Sequence, residues 1–283
     1  MRNKPRRFYV NVIETQILHF QEKIIDFYYQ YGRQFAWRST QNPYHILVSE
    51  FMLQQTQTNR VEPKYEQFLQ KFPTLEHCAR SALSDVLTVW QGLGYNRRAK
   101  YLHETAKILV ENHQSVIPQD PSVLCSLPGI GPYTAAAICT FCHNKPFVFI
   151  ETNIRTVFIN EFFRDQENVH DKHIVPLIKA ALPANNPRMW YYALMDYGVY
   201  LKKVGNNASV QSAHYNRQSK FEGSSRELRG MIIKMLTQHI VVGRHDIETK
   251  LNRQDSRIHE VLQGLIRDGL VQSDGDYIRI NNG

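Results

Sequence analysis

The segment Leu127-Pro128-Gly129-Ile130-Gly131-Pro132-Tyr133-Thr134-Ala135 constrains the fold more than any other part of this sequence. Two glycines flank one aliphatic residue, so the chain can reverse tightly there while Ile130 anchors the turn, and Pro132 suits the first turn of a following helix. Such a turn directs backbone N–H groups outward at a helix N-terminus, where the partial positive charge favours a phosphate. Uncharged main-chain donors of this kind hold a nucleic-acid backbone without reading its bases. An ordinary connection between packed helices, with glycine for close approach, explains the same residues, and the segment by itself does not separate the two.

Helical periodicity runs through the first two thirds of the chain. Phe20, Ile24, Phe27 and Tyr28 recur at spacings of three and four, with Gly32 as a stop signal. Similar patterns predict helices over Tyr44–Gln55, Val61–Lys71, Ser84–Gln91, Arg97–Asn112, Pro132–Cys142, Asn153–Phe163, His173–Ala181 and Pro187–Lys202. No alternating strand pattern precedes residue 203, so residues 1–202 are expected to form an all-α domain of two helical lobes. Residues 203–225 are polar and weakly periodic, as a linker or surface strap would be. Beyond them, helices over Arg226–His239, His245–Leu251 and Asp255–Arg267 and a hairpin over Leu270–Ile280 predict a small winged-helix-like α+β module over 226–283. Arg253, Arg257 and Arg267 would offer it phosphate contacts, although such modules also bind proteins.

The 283 residues suffice for a sizeable core and two domains. Thirty-four Lys and Arg against 26 Asp and Glu give a net charge of +8, which favours an acidic partner, nucleic acid first among them. No run approaches the roughly 18–20 apolar residues that cross a bilayer. The expectation is therefore a cytoplasmic protein with no membrane partner, associated with a bacterial or archaeal nucleoid. Cys78, Cys125, Cys139 and Cys142 are too few and too irregularly spaced for a disulfide framework. The Cys139–Cys142 pair lies in an apolar helical run, where packing explains it better than metal binding, and no metal site is expected.

Two carboxylates stand out. Helical spacing sets Glu50 on one face with Ile46, Leu47, Leu53 and Gln54. Burial in an apolar stripe favours the protonated form, as a general acid requires, while a structural glutamate bonded to a neighbour is the plain alternative. Glu151 follows Phe147-Val148-Phe149-Ile150 and precedes a helix that begins near Thr152-Asn153. It can stabilise a cation in a cleft or cap that helix. As a pair, one carboxyl biased towards protonation and one at a polar helix entrance can divide acid and electrostatic roles.

Val48-Ser49-Glu50-Phe51-Met52-Leu53-Gln54-Gln55-Thr56-Gln57, Trp90-Gln91-Gly92-Leu93-Gly94-Tyr95, the Leu127–Ala135 turn and Tyr192-Ala193-Leu194-Met195-Asp196 resemble, in order, segments of adenine DNA glycosylases. Those enzymes are members of the helix-hairpin-helix (HhH-GPD) DNA glycosylase superfamily, which includes endonuclease III, and the likeness spans about residues 20–202. It implies a helix-hairpin-helix fold and excision of a base flipped out of double-stranded DNA that contains a damaged or mismatched base. By position, Glu50 matches the acid that protonates the departing purine, Tyr133 a tyrosine that supports the site, and Gln55 a residue inserted into the base stack. Gln54, Tyr95 and Asn96 fall in the matching DNA-contacting loops. Leu127, Gly129, Ile130, Gly131 and Thr134 form the phosphate-holding hairpin, where a monovalent cation can also bind.

This sequence departs from the family pattern at several places. Glu151 stands where the family carries an aspartate that stabilises the sugar cation. Most relatives carry four iron–sulfur cysteines after the helix matching Pro187–Lys202, whereas residues 203–283 contain no cysteine. No cluster and no other cofactor are therefore expected. Asn96 replaces a second tyrosine that probes the opposite strand, and residues 203–283 are not expected to form the C-terminal domain that recognises 8-oxoguanine. Tyr133 occupies the place of the Schiff-base lysine of endonuclease III-like enzymes, so strong β-lyase activity is not expected, although Lys100, Lys145 or another amine leaves a weak activity open. The expectation is a monomeric, monofunctional glycosylase acting on a purine such as adenine, with Glu50 and Tyr133 lining the base pocket. A pyrimidine or mismatch glycosylase of the same fold and a non-catalytic damage-recognition protein are its rivals.

Overall fold

Apolar side chains at helical spacing govern most of the chain. The computed structural model, which describes residues 4–218, 220–251 and 256–282, is accordingly helical up to residue 203. The helices α1 (Lys4–Tyr31), α2 (Ala36–Ser39), α3 (Pro43–Leu53), α4 (Thr58–Lys71), α5 (Leu75–Arg80), α6 (Leu83–Trp90) and α7 (Arg97–His113) are followed by α8 (Pro121–Cys125), α9 (Pro132–His143), α10 (Thr152–Phe162), α11 (Asp171–Ala181) and α12 (Pro187–Lys203). A 3-10 turn over Ala208–Gln211 precedes α13 (Ser225–Gln238), β1 (Val242–Gly243), α14 (Arg244–Lys250), α15 (Ser256–Arg267), β2 (Val271–Asp274) and β3 (Tyr277–Ile280). Every helix expected between residues 44 and 202 is present, with ends shifted by at most three residues. Helices α2, α5 and α8 were not among those expected, because four to six residues are too few to show a period. Asp255 and Arg253 lie outside the described residues.

The described chain divides into two units. The first comprises Met1–Ser39, Gln119–Pro121 and Gly131–Arg217. Its core is aromatic: Phe20 of α1 meets Phe158, Phe162 and Trp190 edge-on at ring separations of 5.1–5.7 Å. Asp196 of α12 is buried and takes both guanidinium groups offered to it. Arg33 donates from its amide and Nε, both at 2.7 Å, and Arg38 donates from two nitrogens at 2.8 and 2.9 Å. Two cations on one buried carboxylate thus tie the end of α1 and all of α2 to α12.

The second unit comprises Thr40–Pro118, Ser122–Ile130 and Gln218–Gly283. Its core gathers Phe51 and Met52 of α3, Phe68 of α4, Trp90 of α6 and Leu102 of α7, all fully buried. The strands form one antiparallel sheet of order β1-β3-β2, with Val271 opposite Ile280 and Asp274 opposite Tyr277 across a turn in which Gly275 adopts a φ of 58°. The order helix, strand, two helices, two strands is that of a winged helix.

These units do not follow the boundaries that composition suggests at residues 202 and 225. The polar stretch after α12 buries Ala208, Ser209 and Ser212 in the first unit, where Val169 exchanges backbone hydrogen bonds with Gln211 and Ala213 at 2.9 and 3.0 Å. Three small side chains, these backbone bonds, and side-chain bonds from Asn206 to Asn160 and from Gln211 to Arg164 O seat it, which polarity alone conceals. The winged-helix element packs within the second unit: Gln91 bonds Thr237, the Ser84 amide donates to Asn282 at 2.9 Å, and Arg97 of α7 and Arg229 of α13 share Asp268.

Candidate active site

In the second unit, α3 opens on Asn42, whose side chain accepts from the Tyr44 amide at 2.9 Å, with Pro43 in the first turn. Residues Ile46 to Met52 are all buried, Glu50 among them at 9% exposure. The sequence places Glu50 on an apolar stripe. The structure instead shows a helix buried all round from Ile46 to Met52, with Ser49 and Glu50 as the polar side chains among apolar ones. The helix also ends two residues earlier than its pattern suggests, at Leu53. Gln54 (φ −56°, ψ 110°) and Gln55, left-handed with φ 56°, form a turn closed by the Thr56 amide donating to Leu53 O at 3.3 Å.

That early end is held by Arg98, a buried guanidinium that no sequence motif singles out. It donates to the carbonyls of Phe51 and Met52 at 2.9 and 2.8 Å, satisfying acceptors left over at the end of α3. It also donates to Thr56 Oγ1, Leu93 O and Gly94 O, so one side chain joins α3 to the loop Gly92–Tyr95. Burial lowers the Arg98 pKa to about 10, which still leaves it charged near neutrality.

The loop is left-handed at Gly92, Gly94 and Tyr95. Two cavities of about 360 and 350 Å³ lie on it, and both are lined by Gln55, Tyr95 and Asn96. The first also receives Arg60, Gln218 and Arg226, and the second Gln54, Arg97 and Gly129. Arg226 of α13 donates to the Tyr95 hydroxyl at 2.9 Å and Gln218 donates to the same oxygen. Both side chains lie more than 120 residues from Tyr95, and no local pattern reveals them.

The hairpin uses its glycines unequally. Gly129 has φ 73°, and a Cβ there would stand 2.7 Å from Tyr101 and 3.0 Å from Phe51. Gly131 is extended with open space around it and serves as the N-cap of α9, where it offers no side-chain acceptor to the first-turn amides. Leu127, Ile130 and Thr134 are buried, so backbone amides rather than these side chains are what the turn can present to a phosphate. Thr105 donates to Pro128 O and Gln54 to Gly129 O, anchoring the turn on the second unit. Gly129→Ala is expected to destabilise the protein by about 1–3 kcal/mol through overpacking and a left-handed alanine. Urea unfolding checks this, and an unchanged midpoint would show that the turn tolerates a Cβ.

In the first unit, Tyr133 stands in the first turn of α9 with its ring edge-on to Phe149 at 5.5 Å. Glu151 is the N-cap of α10: Oε1 accepts from the amides of Asn153 at 2.7 Å and Ile154 at 2.9 Å, and Oε2 accepts from the Asn153 side chain at 3.2 Å. The capping alternative is thus realised, and it leaves the carboxylate fixed at the helix entrance. Loss of hydration raises the Glu151 pKa, opposed by the two amides and by the charges of Lys202 and Arg155.

Residues 48–177 match the HhH-GPD superfamily of base excision DNA repair proteins. Over that stretch the chain is similar to members of this superfamily. The adenine DNA glycosylase of Mycolicibacterium smegmatis is 29% identical over 272 residues, covering 90% of this chain and 93% of that protein. The adenine DNA glycosylase of Buchnera aphidicola subsp. Baizongia pistaciae is 34% identical over 189 residues, 65% of this chain, which spans about half (53%) of that relative's length. Among solved structures, a thermostable thymine-DNA glycosylase superposes with a TM-score of 0.59 at 27% identity, over 65% of this chain and 86% of that one.

The iron–sulfur cluster associated with many HhH-GPD proteins does not fit the residues of this chain. Cys78 is buried and Cys125 exposed in the second unit, while Cys139 of α9 in the first donates to Gln119 O. Among the described residues no three His, Cys, Asp or Glu side chains gather as a metal site. Nor is any described helix long and apolar enough to cross a membrane.

Proposed function

We propose that this protein is a monofunctional HhH-GPD DNA glycosylase that hydrolyses the N-glycosidic bond of a mispaired or damaged purine, adenine foremost, in double-stranded DNA. The observation that carries the reading is Glu50: a carboxyl group buried in α3, one turn ahead of Gln55, which lines both cavities, and Gln54, which lines the second. A buried carboxyl can hand a proton to a ring nitrogen of a purine, turning a poor leaving group into a neutral one. Glu151 supplies the opposite service. Its negative charge stabilises the oxocarbenium-like sugar as the bond breaks, and Tyr133 supports the base. Gln55, Tyr95 and Asn96 fill the gap left in the stack, offsetting part of the few kcal/mol that base extrusion costs. The similarity of two relatives named adenine DNA glycosylases supports the purine assignment.

The test is a panel of duplexes with different damaged or mismatched bases, treated with alkali to reveal abasic sites. Release of adenine or another purine is expected, with no strand cleavage before alkali and no borohydride-trapped adduct. Release of thymine or uracil alone would favour the reading towards which the thymine-DNA glycosylase structure points. Tight binding with no release would identify a recognition protein.

Basic side chains of α13 extend the proposed DNA interface. Replacing Arg226 and Lys234 by glutamine is expected to weaken binding and reduce the slope of log K against log salt by about 0.9 for each phosphate that is no longer neutralised. An unchanged slope would assign α13 a purely structural role.

A further inference from the structure

Glu151 is one methylene longer than a helix cap needs, and its surroundings account for where the extra length goes. Oε1 accepts from the amides of Asn153 and Ile154, while Oε2 meets the Asn153 side-chain amide at 3.2 Å. The oxygen of that same side chain accepts from Lys202 Nζ at 2.7 Å. Lys202 reaches it because α12 lies unusually close to the entrance of α10. Gly198, one helical turn before Lys202 and therefore on the same face, sits where a Cβ would stand 2.5 Å from the Asn153 carbonyl oxygen. A glycine, an asparagine and a lysine thus form one bridge from α12 to the carboxylate. It lies in the last turn of α12, where a cation also answers the exposed carbonyls of the helix end.

We propose that Lys202 is a positioning residue for base excision, which acts through Asn153 to orient the Glu151 carboxylate and supply its counter-charge. The inference rests on the assignment of Glu151 to the sugar cation. Burial works against both partners. It raises the pKa of Glu151 and lowers that of Lys202, and each charge opposes the shift of the other. Arg155 of α10 is the other cation acting on Glu151, but its guanidinium is already committed to Asp171 of α11 at 2.7 and 2.8 Å, beside His214. The Lys202 ammonium instead donates to Asn153, and Glu151 is the carboxylate whose charge acts on it, so its own charge is directed through Asn153 towards Glu151. Without it, Glu151 would take up a proton at higher pH and lose the charge that the sugar cation needs.

The experiment is single-turnover excision with enzyme in excess, followed from about pH 5 to pH 9, alongside duplex affinity and thermal melting. Lys202→Met is expected to shift the acid limb of the rate profile upward by about one unit or more, since an opposite charge nearby commonly moves a carboxylate by about 1–3 units. At a pH below the limb this lowers the rate about tenfold, and the rate recovers as pH rises. Lys202→Arg should restore much of the profile. A limb that stays in place while only the melting temperature falls would overturn the inference and leave Lys202 a structural residue. Should Lys202→Met not fold, Asn153→Ser cuts the same bridge with the lysine in place and should shift the limb in the same direction; an unmoved limb there overturns the proposal equally. Glu151→Gln separates this inference from its premise: full chemistry in that variant removes Glu151 from the mechanism, whereas a dead Glu151→Gln with unaltered Lys202 and Asn153 variants refutes the positioning role alone.

Discussion

Glu50→Gln is expected to bind a substrate duplex as the parent protein does and to lose about 10²–10⁴-fold in single-turnover excision, the usual contribution of a general acid. The substitution keeps the volume of the side chain and its capacity to hydrogen-bond, so the enclosed α3 should remain packed, with Phe51 and Met52 in place. What it removes is the transferable proton. A glutamine cannot neutralise the negative charge that builds on a departing purine, and the loss therefore falls on the chemical step rather than on binding. Rapid-quench kinetics under saturating enzyme, with affinity measured by fluorescence anisotropy, separates the two. Excision at the parental rate would take Glu50 out of the acid role and with it the observation on which the proposed function stands.

The second large effect concerns Asp196, which lies in one of the segments resembling the glycosylase family. It is a structural anchor: buried at 3% exposure, it accepts from Arg33 and Arg38, and Arg38 also lies over the Tyr192 ring at 4.5 Å. Asp196→Ala leaves two guanidinium groups facing an uncharged hole, one of them nearly as buried as the carboxylate itself. Breaking a buried pair from one side costs about 3–5 kcal/mol, much of it from the stranded charge. That is a large part of the stability of a typical domain. Urea unfolding should show the midpoint drop accordingly, and excision measured well below the melting temperature should be far less affected than in Glu50→Gln. A destabilisation below about 1 kcal/mol would place this cluster with exposed ion pairs, whose worth is small.

Much of this protein is determined by its sequence read locally. Helices such as α7, α10 and α12 follow from apolar spacing, Pro187 and Pro132 mark helix starts, and the Gly129 turn is written in residue types that few other conformations require. The burial of Glu50 is likewise foreseeable, because Ile46, Leu47, Phe51 and Leu53 surround it along α3. Local patterns fail where a partner is remote in sequence. Arg98 reads as one more basic residue at the start of a helix, and only the fold brings it under the carbonyls of Phe51 and Met52. Arg226 reaches Tyr95 across 131 positions, and Lys202 reaches Asn153 across 49. Periodicity reports which face of an element is buried, since that is a property of the element itself. Which charge meets which carboxylate depends on how elements are packed against one another. The polar stretch after α12 shows the same limit: its composition resembles a linker, yet three small residues and its hydrogen bonds seat it on the first unit. The sequence therefore determined the helices, the turn and the burial of a carboxyl group on α3. The tertiary structure decided what holds them in position, because the desolvated groups that do so are paired only once the chain has folded.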